Sequence, residues 1–331
     1  MAVFTEVSFE EAGELLERLR LGKLHKLEGC AGGIENTNYF VSTDQGDYVL
    51  TLFERLSLQQ LPFYLRLMKH LALNGIPVPD PAADCDGEIV HQLKGKPAAV
   101  VDRLRGQSEL HPEPSHCAVV GAMLANMHLV ARSFDRQQAN LRGLAWWNET
   151  VPQVLPHITP AQSDLLQSEL AYQNHVGASA AYAALPRGPI HADLFRDNVM
   201  FDNAPGSKAP VLTGFFDFYF AGVDTWLFDL AVCLNDWCVK LDCGVSDEPR
   251  ASAFLQAYAK VRPLQAAERQ LLPAMLRAAA LRFWLSRLWD LHLPRQASML
   301  QAHDPSHFER VLRRRVLDAK MYAQPLETVP A

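Results

Sequence analysis

The chain has 331 residues, 49% of them hydrophobic and 21% charged, with a formal net charge of −6. That is the profile of a soluble globular protein with one large domain or two lobes, without a bulk positive field for nucleic acid or an anionic membrane. The scattered cysteines, Cys30, Cys85, Cys117, Cys233, Cys238 and Cys243, contain no CxxC pair, so neither a disulfide framework nor a zinc site is expected.

The first stretch, MAVFTEVSFEEAGELLERL, is acidic and amphipathic and predicts a short helix over 9–20. It lacks the basic start and apolar centre of a signal peptide, and no apolar run reaches the roughly eighteen residues of a membrane span. A cytoplasmic location is the expectation. Strand-like runs follow at 24–30, 38–43 and 47–53, the last two flanking the turn Asp44-Gln45-Gly46. A helix over 57–73 stops at Asn74-Gly75, and GIPVPDP forms an extended linker. EIVHQL (88–93) and PAAVVDRL (97–104) predict another hairpin around Gly95. Beyond Gly106 the pattern becomes helical, over 115–133, 160–184, 225–242, 249–260, 265–293 and 305–323. Only 198–201 and 211–218 read as strands there. The expected architecture is α+β in two lobes: a small antiparallel-sheet N-lobe, 1–104, and a larger, mostly helical C-lobe, 105–331.

The chemistry concentrates in HADLFRDN, residues 191–198, a loop entering the hairpin made by those two strands. Phosphoryl transfer needs a carboxylate to orient and deprotonate a hydroxyl, oxygen ligands for Mg²⁺, and a cradle for phosphates. Asp193 can serve as the base and Asn198, five residues on, as a metal ligand; Asp217, in GFFDFYFAG, supplies a further carboxylate at the end of the second strand. A nucleotide-binding regulator without catalysis would have no need of Asp193.

HxDxxxxN followed by an apolar strand ending in D-F resembles the catalytic and metal-binding segments of the protein-kinase-like fold, specifically the aminoglycoside phosphotransferase and choline kinase group. The resemblance implies ATP and Mg²⁺ as cofactors, Asp193 as catalytic base, Asn198 and Asp217 as metal ligands, and His191 as a brace of the loop. It also matches Asp229, in TWLFDLAVCLNDW, to a carboxylate that supports that loop. Ala192 stands where the group usually has Gly, a departure read as needing no left-handed backbone. GGIENTNYFVST (32–43) lies where the group places its phosphate-covering loop, which nominates Gly32, Gly33, Asn36 and Asn38. The lobe connection VVDRLRGQ nominates the backbone around Asp102 and Leu104 for adenine.

With GGIENTNYFV, YVLTLFE and ALRFWLSRLWD (280–290), the chain resembles the bacterial homoserine kinase family built on this fold, over about residues 5–320. That implies phosphorylation of the homoserine side-chain hydroxyl, towards threonine. Kinases for choline, an aminoglycoside or methylthioribose are the alternatives. Thr51 occupies the position of the usual phosphate-pairing Lys, leaving Arg55 and Lys69 as candidates beside a reading of both as surface charge. Homoserine is a zwitterion whose carboxylate calls for an Arg. Trp284 and Arg287 share a helix face and are nominated with Tyr219 for the acceptor, whereas Arg282 is expected to point elsewhere. Trp146, Trp147 and Trp237 are further candidates for the pocket wall, each more often core. Arg313-Arg314-Arg315 reads as a solvated helix face. No partner beyond homoserine and ATP is expected, neither nucleic acid nor membrane, and the oligomeric state is not legible.

Overall fold

The structure, a computed structural model, describes residues 5–30, 36–202, 209–293 and 303–322. Its first helix, α1 (Phe9–Arg18), begins at a reciprocal cap in which the Glu11 N–H donates to the Ser8 hydroxyl and the Ser8 N–H donates to the Glu11 carboxylate. Ala12, Leu15, Leu16 and Leu19 recur at helical spacing and are buried. They cover one face of a five-stranded antiparallel sheet of order β1-β2-β3-β5-β4. Its strands are β1 (Leu24–Gly29), β2 (Thr37–Thr43), β3 (Asp47–Leu52), β4 (His91–Leu93) and β5 (Lys96–Asp102). Alternation along β3 sorts the faces: Tyr48, Leu50 and Leu52 join the α1 core, while Val49 and Phe53 turn into the larger core with α2 (Leu61–Leu73).

Gly106 couples the sheet to the rest of the chain. Its φ is +91°, and a Cβ there would lie 2.1 Å from the Phe201 carbonyl oxygen. Only glycine tolerates both the left-handed backbone and that approach, which lets the Gln107 N–H donate to Phe201 O at 3.0 Å and the Phe201 N–H donate back at 2.9 Å.

The remainder is mostly helical: α3 (Pro114–Ala131), α4 (Leu144–Val154), α5 (Pro160–Gly177), α6 (Ala180–Ala183), then four short strands, then α7 (Trp226–Trp237), α8 (Glu248–Val261), α9 (Ala266–His292) and α10 (Ser306–Tyr322). The strands are β6 (Arg187–Ile190), β7 (Val199–Asp202), β8 (Val211–Phe215) and β9 (Gly222–Thr225), with β6 paired to β9 and β7 to β8.

Several expectations are corrected. The single helix over 160–184 divides, because the Ser179 hydroxyl donates to Val176 O and accepts the Tyr182 N–H, closing α5 and capping α6. β6 and β9 were not expected; RGPI and GVDT are too short and too rich in Gly and Pro to show strand alternation, and they form only because each finds the other. α4 was also missed, with Pro152 inside it. Arg315 is not part of a solvated face. It is buried, donating Nε to Asn235 Oδ1 at 3.0 Å and Nη1 to Ser246 Oγ at 3.1 Å. Consecutive helical residues point about 100° apart, so three arginines in a row cannot share one environment. Every cysteine is a free thiol. No described helix is long and apolar enough to cross a membrane.

Candidate active site

β6 ends at Ile190 and releases the loop His191–Asn198 onto one face of α7. Asp229 lies in the first turn of that helix, fully buried. Its Oδ2 accepts the His191 N–H at 2.9 Å and its Oδ1 the Ala192 N–H at 2.8 Å. Beyond these two bonds the chain reverses direction: Ala192 is left-handed, with φ +64°. The expectation of an ordinary backbone at Ala192 is therefore wrong. The conformation costs about 1–2 kcal/mol for a residue with a Cβ, which the bonds to Asp229 offset.

Four and seven residues beyond Asp229, Cys233 and Asp236 fall on the same helical face. The Leu194 carbonyl accepts Trp237 Nε1–H at 3.0 Å and the Cys233 thiol at 3.6 Å. Asp236 takes the Arg196 backbone N–H at 2.8 Å and a fork of its guanidinium, Nε at 3.0 Å and Nη2 at 3.1 Å. Behind Asp229, the carboxylate Oδ2 accepts His128 Nε2–H at 3.0 Å, and His128 Nδ1 accepts the Tyr258 hydroxyl at 2.8 Å. Burial pushes the His128 imidazole down, so it donates while neutral. Burial works to raise the Asp229 pKa, but the His128 hydrogen bond and the loop N–H groups outweigh it and hold the carboxyl below its ordinary range. Asp236 and Trp237 were missed as loop supports; a second Asp in an otherwise apolar helix, seven residues after the first, was the available signal.

Within the loop, His191 Nε2–H donates to Phe216 O at 2.9 Å and its Nδ1 accepts the Asp193 N–H at 3.3 Å. Burial lowers the His191 pKa, which suits this neutral pattern. The Asp193 carbonyl accepts Asn198 Nδ2–H at 2.9 Å, leaving the Asn198 amide oxygen on the opposite side. The Phe216 N–H donates to Asn198 O at 3.0 Å, tying the loop to the segment after β8. That segment turns at Asp217, φ +67° and ψ +59°, so the strand expected over 211–218 stops at Phe215 and Asp217 lies in a left-handed turn beyond it. Burial pushes the Asp193 carboxyl well up; the Arg282 charge opposes the rise, and Asp217 adds to it. A carboxylate pair with one member raised is suited to taking a proton.

The remaining nominated residues divide. Gly32 and Gly33 lie outside the described residues, and Asn36 follows them, half-buried. Asn38 pairs with Thr51 across β2 and β3, its Oδ1 accepting the Thr51 hydroxyl at 2.7 Å. Asp102 ends β5, and Leu104 lies in the irregular link 103–105. Lys69 is held by Asp80 at 2.9 Å. Tyr219 packs edge-on to Phe53 and Tyr64, and burial, then Asp217, raises its pKa. Trp284 and Trp237 are fully buried core residues, and Trp147 is buried with its Nε1–H on Arg142 O at 2.6 Å. Arg287 donates Nη1 to Asp304 O at 3.0 Å and lies 4.5 Å from the Phe308 ring. Arg282, expected to point elsewhere, is the guanidinium whose charge acts on Asp193, and it is 4% exposed.

The chain is similar to known proteins along most of its length. The phosphotransferase enzyme family matches residues 26–264. A homoserine kinase from Polaromonas naphthalenivorans (strain CJ2) is 67% identical over 316 residues, covering 96% of this chain and 98% of that one. Another from Janthinobacterium sp. (strain Marseille) is 54% identical over 319 residues, 96% and 97% of the two chains. Among solved structures, amicoumacin kinase hAmiN in complex with AMP-PNP, Ca²⁺ and Ami has a TM-score of 0.65 at 17% identity, covering 93% of each chain. A spectinomycin phosphotransferase in complex with ADP and spectinomycin has a TM-score of 0.62 at 13% identity, covering 96% of this chain and all of that one. These structures share the two-part fold, and the family match spans the sheet, the loop and α7: the chain belongs to the phosphotransferase enzyme family.

Proposed function

We propose that the chain is an ATP-dependent kinase that transfers the γ-phosphoryl group to the side-chain hydroxyl of L-homoserine. The observation that carries the substrate is the similarity to homoserine kinases, at 54–67% identity over 96% of this chain. The observation that supports the chemistry is a loop that bonds Asn198 to the backbone of Asp193, with the charge of Asp217 acting on the Asp193 carboxyl.

In this reading residues 1–104 cover the nucleotide and 105–331 carry the base and the acceptor site. Asn36 and Asn38 serve the phosphates, and the link around Asp102 and Leu104 meets the adenine. Asp193 takes the proton of the acceptor hydroxyl as its oxygen bonds to the γ-phosphorus and the bond to ADP breaks. His191 and Asp229 fix where that carboxylate points, because the backbone on both sides of Asp193 is held. Asn198 Oδ1 and the Asp217 carboxylate would hold a magnesium ion, whose hard charge prefers oxygen donors of this kind. When bound, the ion supplies charge compensation for the triphosphate. A cytoplasmic site of action accompanies the proposal.

ADP release measured with L-homoserine, choline, an aminoglycoside and methylthioribose tests it. L-homoserine is expected to have the highest kcat/KM; a preference for choline would sink the substrate while leaving the phosphotransfer site intact.

A further inference from the structure

One stripe of α9, with Arg282 next to the catalytic loop, carries donors without acceptors among the described residues. Arg282, Ser286 and Trp289 are spaced by four and three residues and so share one stripe of the helix. Among the described residues, Arg282 Nε and Nη2, Ser286 Oγ and Trp289 Nε1 are buried and make no hydrogen bond. Arg282 lies between the two halves of the site. Its guanidinium carbon is 4.9 Å from the centre of the Phe220 ring, in the turn that follows Asp217, and 3.8 Å from that of Phe283. Phe283 in turn touches Phe195 of the loop at 4.4 Å. No hydrogen bond or ion pair joins Arg282 to Asp193 among the described residues, although each charge acts on the other.

An unpartnered guanidinium this deeply buried is expensive unless something completes it. A structural counter-ion to Asp193 would close onto the carboxylate, as Arg196 closes onto Asp236. Arg282 instead keeps two N–H groups open, its plane held by aromatic rings, which is the fork that receives a carboxylate in bidentate fashion. The acceptor hydroxyl must reach Asp193, and in homoserine the carboxylate is only a few bonds from that hydroxyl. We propose that Arg282, seconded by Ser286 and Trp289, receives the carboxylate of the acceptor and so selects an amino acid over an amino alcohol. This rests on the homoserine reading and names the residue that enforces it. Arg287 is the poorer receiver, being already engaged by Asp304 O and the Phe308 ring.

The test compares L-homoserine with 3-aminopropan-1-ol, the same molecule with hydrogen in place of the carboxylate. The parent should prefer homoserine by about 10³-fold or more in kcat/KM. In Arg282→Ala that ratio should collapse by about 10²-fold, chiefly through the KM for homoserine, with the KM for ATP moving less than about threefold. Arg282→Lys keeps the charge and most of the volume and should lose roughly tenfold of the ratio, so it decides the matter if the alanine variant does not fold. Ser286→Ala should lower the ratio by a smaller factor, about threefold. A ratio that stays within about threefold of the parent in both Arg282 variants, while both acceptors slow together, overturns the proposal and makes Arg282 a counter-ion of Asp193 or a contact of the moving phosphoryl group. A parent enzyme that itself shows no preference for homoserine would instead defeat the homoserine reading.

Discussion

The loop 191–198 and the α9 stripe treat buried polar groups in opposite ways. In the loop, the N–H groups of His191, Ala192, Asp193 and Arg196 and the carbonyls of Asp193, Leu194 and Asn198 all have named partners, mostly side chains of α7. On α9, the donors of Arg282, Ser286 and Trp289 have none among the described residues. Saturated polar groups hold a geometry, whereas a cluster of unsaturated ones beside a site leaves room for a ligand. In the proposed reading the loop carries the part of the reaction that every acceptor shares, and α9 the part that distinguishes acceptors.

The largest expected effect attacks the shared part. Asp193→Asn keeps the size and the loop bonds but removes the proton acceptor, and kcat should fall by about 10³-fold or more while ATP affinity stays within a few-fold. Turnover within about tenfold of the parent would remove Asp193 from the role of base. To act as the base Asp193 would have to be ionised, and burial raises its pKa. Activity should therefore be lost as pH falls through a limb lying above the ordinary Asp range, which the pH profile of kcat/KM reads. Asp217→Ala should instead weaken ATP binding by about tenfold and raise the Mg²⁺ concentration needed for half-maximal rate. A mutant with unchanged nucleotide affinity and no response to added Mg²⁺ would make Asp217 a core residue.

A middle-sized effect tests whether α7 holds the loop. Asp229→Ala strands the N–H groups of His191 and Ala192 and the donor of His128. It should destabilise the fold by about 3–5 kcal/mol in a denaturant titration; a loss below about 1 kcal/mol would mean the loop is held by other means. The neutral imidazoles behind it give a pH signature. Both His128 and His191 have pKa values lowered by burial. Each contributes stability that is full above the unfolded value of about 6.5 and is lost as pH falls below it towards the folded value. NMR titration of the two rings should find midpoints below about 6.5, and protonated rings at neutral pH would contradict the hydrogen-bond pattern.

The smallest effect sharpens the same comparison. Ala192→Gly relieves the left-handed strain but frees the unfolded chain and removes a buried methyl. The opposing terms leave a change in stability of less than about 1 kcal/mol with kcat nearly unchanged, measured by urea unfolding and steady-state rates. A large loss of activity would show that the Ala192 methyl positions the loop as well as filling space.

Much of this was legible along the chain. HxDxxxxN and the D-F that follows depend on spacing within short segments, so Asp193, Asn198 and Asp217 could be nominated without tertiary information. The capped helix 9–20, the hairpins of the sheet and the long helix over 265–293 obey local periodicity and emerged with shifts of a few residues at their ends. β6 and β9, and the break after Gly177, left no local pattern to read.

What the sequence determined by itself is the chemistry: which carboxylates and amides exist, at which spacings, on which kind of element. What only the tertiary structure decided is which charges meet. Arg282 and Arg287 lie five residues apart on one helix, and helical spacing turned the expectation towards Arg287, yet Arg282 is the one sealed between Phe220 and Phe283 while Arg287 leans on Phe308 and Asp304. Likewise no local pattern marks Ala192 as left-handed; it lies in a loop whose N–H groups at His191 and Ala192 reach Asp229, thirty-seven residues beyond Ala192. Spacing is a property of the chain, whereas desolvation and the pairing of distant polar groups arise from packing, and these set where a guanidinium can wait unpaired.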